Sequence, residues 1–257
     1  MKFFVFTIFP QFFEGFKNTG IISKAIEKKK ISIEAINLRQ FTTDKHRTVD
    51  DAVYGGGPGM LLKPEPIYRA YEKLLEKGNK PYVLITEPWG RKFDQKFANE
   101  LAQKDEILII CGRYEGVDER VKDIVDEEVS IGDFVLSGGE PAAVVIMDAV
   151  ARLVPDVVGD KQSLEVDSFS EGLLGYPNYT RPEEFKGKKV PKVLTSGNHK
   201  LIKIWRRWKQ LENTLNKRPD LLKSSKLSQE DKDMLKAIKE GIEFDRFIEQ
   251  SSIIKNI

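Results

Sequence analysis

The first 155 residues alternate short apolar runs with segments of helical spacing, and this alternation constrains the fold more than any other feature. Apolar runs that predict strands cover residues 2–8, 82–86, 106–110, 128–131 and 134–136, and alternating apolar and polar residues predict a further strand at 31–35. Segments of helical period fall between them, at residues 12–26, 64–75, 92–104, 117–125 and 140–153. Strands that alternate with helices favour a mostly parallel sheet with both faces covered. The sequence therefore predicts an α/β fold.

The pattern changes after residue 155. Residues 155–179 are rich in Gly, Asp, Ser and Pro without a sustained period, which is typical of a linker. From Asn198 helical spacing returns, with one apolar face and, at Ser228 and Asp231, the spacing of a capping box. That apolar face carries Ile202, Trp205, Trp208, Leu211 and Leu215. We predict an α/β domain over residues 1–160, a linker over 161–180 and a small helical domain over 181–257.

Charge is distributed unevenly along the chain. The net charge is +2, yet from Tyr176 onward there are 19 Lys or Arg against 11 Asp or Glu, so this part carries +8 and the rest −6. A basic part joined to an acidic front suggests binding of a polyanion such as nucleic acid. A solvated helical tail explains the charge equally well. The tryptophan spacing favours a helix core, whereas Arg206, Arg207 and Lys209 lie off that face and are suited to phosphates.

Composition narrows the class of protein. No apolar run reaches the length of a membrane span, and residues 1–9 are predicted as a first strand instead of a secretion signal. The single cysteine, Cys111, excludes a disulfide framework within the chain and is compatible with a reducing cytoplasm; as the end of an apolar strand it is predicted to be a core residue. The two histidines, His46 and His199, lie far apart, so we expect no zinc site.

Glycines follow several of the predicted strands. They occur in residues 111–116 and 130–140, where a backbone without Cβ atoms can approach a ligand closely. Two such strand ends side by side predict a pocket wall. The turn at residues 55–59 suits a phosphate cradle, a mobile lid or only a tight turn, and it matches neither the P-loop nor the dinucleotide fingerprint.

Two charged residues near this predicted pocket have ordinary explanations from sequence alone. Asp167 stands in the linker, where an aspartate is usually a solvated turn former. Arg152 stands near the end of an apolar helix, where a cation compensates the helix dipole. Neither residue by itself indicates catalysis.

Four longer motifs are more specific. TVDDAVYGGGPGM, CGRYEGVDERV, SIGDFVLSGGE and DSFSEGLLGYPNYTRPEEFKG, in this order and at this spacing, resemble the bacterial tRNA (guanine-N1)-methyltransferase family. The resemblance extends over nearly the whole chain. It implies a SPOUT-type α/β domain whose sheet ends in a C-terminal trefoil knot, which is a rare exception to unknotted topology. It also implies a cytoplasmic homodimer that binds the anticodon stem-loop of tRNA and methylates N1 of guanosine 37 from S-adenosyl-L-methionine.

The resemblance also implies roles for individual residues. Asp167, lent by the partner subunit's linker, is expected to act as general base on N1–H, and Arg152 is expected to stabilise the charge that develops on O6. Expected contacts with RNA are Arg181, Lys200, Arg206, Arg207 and Lys209. Expected contacts with the methyl donor lie on three loops and comprise Thr86, Pro88, Gly90, Gly112, Tyr114, Glu115, Ser130, Ile131, Gly132, Asp133, Phe134, Val135, Leu136, Gly138 and Gly139.

The chain departs from the family pattern at two places beside the expected donor site. The family often has Ser-Pro-Gln-Gly where this chain has Glu87–Pro88–Trp89–Gly90, and often has Leu between the residues that are here Glu140 and Pro141. Two other functions remain open at this point. One is a SPOUT methyltransferase for another RNA position, such as a ribose 2′-oxygen, and the other is a non-catalytic RNA-binding protein.

Overall fold

The computed structural model describes residues 1–159 and 167–250. The chain divides into two compact units, Met1–Lys161 and Gln162–Ile257. The start of the predicted linker, at 161–166, lies outside the described residues, as do residue 160 and residues 251–257. No helix within the described ranges is both long and apolar enough to cross a membrane.

The first unit is built on a parallel sheet, so the predicted α/β class is confirmed. Its strands are β1 (Lys2–Thr7), β2 (Ser32–Asn37), β3 (Asp50–Ala52), β4 (Met60–Leu62), β5 (Tyr82–Lys92), β6 (Glu106–Ile110) and β7 (Glu127–Ser130). Its helices are α1 (Glu14–Lys17), α2 (Gly20–Glu27), α3 (Pro64–Glu76), α4 (Gln95–Leu101) and α5 (Glu140–Ala151), with 3-10 turns at Pro10–Phe13, Leu38–Phe41 and Glu119–Ile124. The main sheet has the order β2-β1-β6-β5-β7, and every pair in it is parallel.

Two apolar cores lie on the two faces of this sheet. Because side chains alternate along a strand, Phe3 and Val5 of β1 enter one core and Phe4 and Phe6 enter the other. The first core also receives the apolar faces of α2, α4 and α5, and the second receives that of α3. Strands buried on both faces explain why the sequence shows continuous apolar runs instead of alternation. Cys111 is fully buried in the first core, as predicted.

Two sequence-based elements of this unit are wrong. Residues 134–136 form no strand, because they lie in an exposed loop beyond the edge strand β7, where no neighbour completes a ladder. Apolar composition alone did not supply a pairing partner. The segment predicted as a helix at 117–125 is instead the 3-10 turn Glu119–Ile124, which Asp118 caps by accepting from the backbone N–H of Arg120.

Two further elements were not predicted. One is the small antiparallel hairpin β3–β4, whose first strand is concealed in the sequence because Asp and Ala are poor strand formers. Strand β5 is also longer than its apolar run, because it continues to Lys92 through a register shift. Thr86 and Arg91 both lie opposite Val129, so the four residues between them leave the ladder.

The second unit is mostly helical. It contains a two-stranded hairpin, β8 (Glu184–Phe185) and β9 (Lys188–Lys189), and the helices α6 (Lys192–Thr195), α7 (His199–Lys217), α8 (Pro219–Ser224), α9 (Gln229–Lys239) and α10 (Phe244–Gln250). Trp205 and Trp208 of α7 are buried in its core, as their spacing predicts. The capping box of Ser228 and Asp231 at the start of α9 is confirmed.

Candidate functional site

Three loops of the first unit leave the same edge of the main sheet. Strands β6, β5 and β7 are parallel neighbours, so their carboxyl ends lie side by side. The loops that follow or interrupt them there are residues 86–90, 112–116 and 131–139. Ligands of open α/β sheets bind beyond the carboxyl ends of the strands. All fifteen residues predicted to contact the methyl donor lie on these three loops or directly beside them.

Two of the loops are joined through their backbones. The N–H of Gly139 donates to the carbonyl of Gly112 over 2.9 Å, and Arg113 and Gly138 form an antiparallel bridge. A Cβ on Gly139 would overlap the hydroxyl of Thr86 and the backbone of Cys111. Glycine is therefore required at 139 because three strand ends converge on it, and the loops form a wall of closely packed main chain.

One polar atom in this wall lacks a partner. The Oγ1 of Thr86 is buried and forms no hydrogen bond with any residue that the structure describes. Buried hydroxyls are almost always satisfied in native proteins, so an orphaned one beside exposed loop backbone suits a polar ligand. A methyl donor with an adenosine moiety, rich in hydrogen-bonding atoms, fits these loops for the same reason.

A buried ion pair holds the loops in place. The carboxylate of Glu140, at the start of α5, is fully buried, accepts from the hydroxyl of Thr7 at 2.7 Å and from the Nε of Arg113 at 2.8 Å. The Nη1 of Arg113 also donates to the carbonyl of Ser137 at 3.0 Å, and its guanidinium lies 4.7 Å from the ring centre of Phe9. Sequence reasoning missed this pair, since its members are far apart along the chain.

A second buried carboxylate at this edge has no such support. The side chain of Glu87 is only 9% exposed, and burial raises its pKa to about 7. Lys122 acts in the opposite direction on this pKa, while Glu128 and Glu119 raise it further. The sequence marked this residue only as a departure from the family pattern.

The β3–β4 hairpin lies behind the middle loop. The N–H of Glu115 donates to the carbonyl of Met60 at 3.0 Å, and the N–H of Leu62 donates to the carbonyl of Gly116 at 3.1 Å. A Cβ on Gly59 would overlap the side chain of Glu115. The last residue of the glycine-rich turn is therefore a close-contact position against the site.

Apolar side chains of the three loops are exposed in the single chain. Val135 is 97% exposed, Trp89 67%, and Phe134 and Tyr114 54% each. The indole of Trp89 donates to Glu128 at 2.7 Å, which fixes the ring on the surface. Exposed apolar groups concentrated at one edge are characteristic of a binding surface.

The two residues expected to be catalytic belong to different units of the chain. Arg152 is half-buried at the C-cap of α5, the helix end for which it was predicted. Asp167 is exposed at the start of the second unit, where its carbonyl accepts from the hydroxyl of Ser170 at 2.8 Å.

The residues expected to contact RNA differ in how they are engaged. Arg206 lies over the ring of Tyr176 at 5.0 Å, and both border a groove of about 490 Å³ that also includes Arg181. In contrast, Arg207 donates to both carboxylate oxygens of Asp231 at 2.7 and 2.9 Å, and to Glu171 at 2.8 Å.

The remaining two basic residues lie on the same helix. Lys209 pairs with Glu212 at 2.7 Å, and Lys200 lies in the first turn of α7.

The described parts of the chain contain no group of three or more His, Cys, Asp or Glu side chains arranged to hold a metal ion.

Comparison with known proteins gives consistent matches. The family described as tRNA (guanine-1)-methyltransferase TrmD matches residues 1–224. A tRNA (guanine-N(1)-)-methyltransferase of Persephonella marina is 70% identical over 254 residues, 98% of this chain and 100% of the relative. The enzyme of the same name from Aquifex aeolicus is 52% identical over 250 residues, 97% of this chain and 96% of the relative.

Among solved structures, this chain is similar to the crystal structure of tRNA (m1G37) methyltransferase from Aquifex aeolicus. The two share 52% sequence identity with a TM-score of 0.72, and the match covers 87% of this chain and 95% of that chain.

Proposed function

Because this chain belongs to the tRNA (guanine-1)-methyltransferase family and is a tRNA (guanine-N1)-methyltransferase, we propose that it methylates guanosine 37 of tRNA, using S-adenosylmethionine, as a homodimer. Position 37 is the one named for the similar enzyme of Aquifex aeolicus. The observation that carries the proposal is the convergence of three glycine-containing loops, with the orphaned hydroxyl of Thr86, at one edge of a parallel sheet. We place the enzyme in the cytoplasm, where its tRNA substrate is found.

The methyl donor is held by main chain more than by side chains. Gly112 and Gly139 fix the spacing of two loops, and the backbone of residues 131–138 offers polar groups beside them. When bound, S-adenosylmethionine supplies a methyl group already activated by its sulfonium charge. The protein's contribution is accordingly to orient the acceptor and to control its protons.

The acceptor atom needs help because N1 of guanine carries a proton. We assign the removal of this proton to the carboxylate of Asp167. Loss of the proton places negative charge on O6, and we assign its stabilisation to the guanidinium of Arg152. Arg152 lies at the carboxyl end of α5, the helix that begins directly after loop 131–139.

A homodimer completes the site in this proposal. The exposed apolar residues of the donor loops, Trp89, Tyr114, Phe134 and Val135, support burial of this edge in an assembly. Asp167 is then contributed by the partner subunit. We also propose that the chain forms a trefoil knot that includes loops 86–90, 112–116 and 131–139, as the family resemblance implies.

The second unit is proposed to bind the anticodon stem-loop. Its excess of basic residues supports contact with phosphates. Arg181 and Arg206, which border the aromatic groove, are the strongest candidates, followed by Lys200 and Lys209. Arg207 is the weakest of the five, because its donors already bind two carboxylates.

The proposed roles are tested with Asp167→Ala and a control, Asp233→Ala, which removes another exposed carboxylate of the second unit. We expect Asp167→Ala to reduce the single-turnover rate by orders of magnitude and to leave donor affinity in calorimetry unchanged. The control should match wild type in both measurements. A normal rate for Asp167→Ala would remove this residue from the mechanism.

The reaction itself is tested by mass spectrometry of nucleosides from tRNA transcripts with and without a guanine at position 37. Methylation on N1 of that guanine is expected. A methylated ribose would support the alternative SPOUT activity instead. Failure of the protein to bind S-adenosylmethionine would support a non-catalytic RNA-binding protein.

A further inference from the structure

Glu87 is a largely buried residue at the edge of the donor site. It is 9% exposed, and no hydrogen bond or ion pair joins it to any residue within 1–159 or 167–250. The preceding residue, Thr86, carries the orphaned hydroxyl of the same wall. No described residue satisfies the hydroxyl of Thr86 or the carboxylate of Glu87, and the oxygens of Glu87 remain accessible, so a polar or charged ligand at this edge can bind them.

The neighbouring charges do not neutralise Glu87. Lys122, in the 3-10 turn Glu119–Ile124, is the nearby cation, but it pairs with Glu119 at 2.9 Å and with Glu128 of β7 at 3.4 Å. These two carboxylates also act on Glu87 and disfavour its ionised form, in addition to its burial. The pocket around Glu87 is therefore short of positive charge.

The carboxylate faces the middle donor loop. Its Oε1 lies 3.9 Å from the position that a Cβ on Gly116 would occupy. Gly116 has no side chain and a φ of +110°, so the loop leaves open space in front of Glu87. A group of the bound donor is what this space can accept without disturbing the wall.

We propose that Glu87 is a donor-binding residue whose carboxylate pairs with a positively charged group of S-adenosylmethionine. The donor carries two such groups, the sulfonium and the α-ammonium, and either satisfies a buried carboxylate by charge. This inference rests on the proposed function, since it concerns the same donor site. It assigns a role to a residue at a position where the family often has serine.

The proposal predicts that donor binding is coupled to the release of a proton. A cation binds the ionised carboxylate, so donor binding at pH 6.5 releases a proton from Glu87, whose pKa in the free protein is about 7. Between pH 8 and pH 6 the ionised fraction falls about tenfold, and donor affinity should fall by up to about tenfold with it. A purely structural role for Glu87 predicts neither effect.

Calorimetry of S-adenosylmethionine binding tests this directly. The full-length protein is titrated at pH 6.5 in two buffers with different ionisation enthalpies, and again at pH 8. Glu87→Gln keeps the shape of the side chain and removes its charge, and Glu87→Ser introduces the residue common in the family. Glu76→Gln is the matched control, because it removes an exposed carboxylate of the first unit that pairs with Lys73 at 2.8 Å and is not among the charges that act on Glu87.

We expect wild type and Glu76→Gln to release a proton and to bind more tightly at pH 8. Both Glu87 variants should lack this proton release, which separates Glu87 from the titration of the donor's own ammonium, and should bind about tenfold more weakly at pH 8. If a folded Glu87 variant releases a proton as wild type does, or binds the donor with wild-type affinity, the inference about Glu87 is wrong and the proposed function is unaffected. If the wild-type protein binds no donor, the proposed function falls together with it.

Discussion

Two glutamates at the same sheet edge show how burial can serve opposite purposes. Glu140 is fully buried with two short hydrogen bonds, one from Thr7 and one from Arg113. Glu87 is nearly as buried and has neither. A paired buried charge holds structure together, whereas an unpaired one costs stability unless a ligand compensates it. We therefore regard Glu140 as a positioning residue and Glu87 as a binding residue.

The cost of burying Glu87 gives a prediction at this scale. Its pKa is about 7 when folded and near 4.5 when unfolded, so the unfolded protein binds fewer protons between these values and stability falls as pH rises through them. The loss reaches at most about 3 kcal/mol. Glu87→Gln removes this loss, so without donor it should be more stable than wild type at pH 8 and equally stable near pH 4.

Chemical unfolding followed by circular dichroism at pH 4, 6 and 8 measures this difference. Other titrating groups are common to both proteins and cancel in the comparison. A constant difference across the three pH values would show that Glu87 does not titrate in this range.

At the scale of the elements, one ion pair joins helices α7 and α9. Arg207 of α7 binds Asp231, which is also the capping-box residue of α9. Burial would raise the pKa of Asp231, but hydrogen bonds from Arg207 and Ser228 lower it below its ordinary value. A single carboxylate thus starts one helix and ties it to another.

Arg207→Gln is therefore expected to destabilise the second unit by about 2 kcal/mol, because it leaves a 4%-exposed carboxylate short of its charged donor. Fluorescence of Trp205 and Trp208, which lie in that core, reports its unfolding. Arg206→Gln, one residue earlier on α7 and exposed, should change stability little. Equal effects of the two substitutions would show that the pair with Asp231 contributes nothing.

The elements that sequence predicted are those whose cause is local. Continuous apolar runs predicted β1, β5 and β6, and the spacing of Ser228 and Asp231 predicted the start of α9. A strand also needs a neighbour, and this is why residues 134–136, beyond the edge of the sheet, were predicted wrongly.

The candidate site divides in the same way. Glycines after predicted strands indicated two of its three loops, 112–116 and 131–139, because the missing Cβ can be read directly from the sequence. The third loop, 86–90, was expected only from the family resemblance. The contacts that support these loops could not be predicted from the sequence, because Glu140 lies 133 positions from Thr7 and 27 positions from Arg113. The raised pKa of Glu87 likewise depends on burial and on charges from two other elements.

At the scale of the whole molecule, charge is divided between the two parts of the chain. The first part carries a net −6 and the part from Tyr176 a net +8. An acidic front does not attract RNA by itself, so the basic part must supply most of the electrostatic affinity. Its phosphate contacts release counterions, and binding is then sensitive to salt.

We expect tRNA affinity to fall at least about tenfold between 50 and 200 mM salt, with a linear dependence of log Kd on log salt concentration. Arg206→Gln should reduce the slope by about one unit, as removal of one phosphate contact does. Fluorescence anisotropy with labelled tRNA gives both quantities. A slope near zero would indicate that the basic excess is only a solvated surface.

The contact of Glu140 with Thr7 and Arg113 also limits how early the first unit can fold during synthesis. The hydroxyl of Thr7 cannot form its hydrogen bond until Glu140, 133 positions later in the chain, has left the ribosome. Long-range contacts of this kind form slowly and late in folding. More than half of the chain must therefore be synthesised before this contact can form.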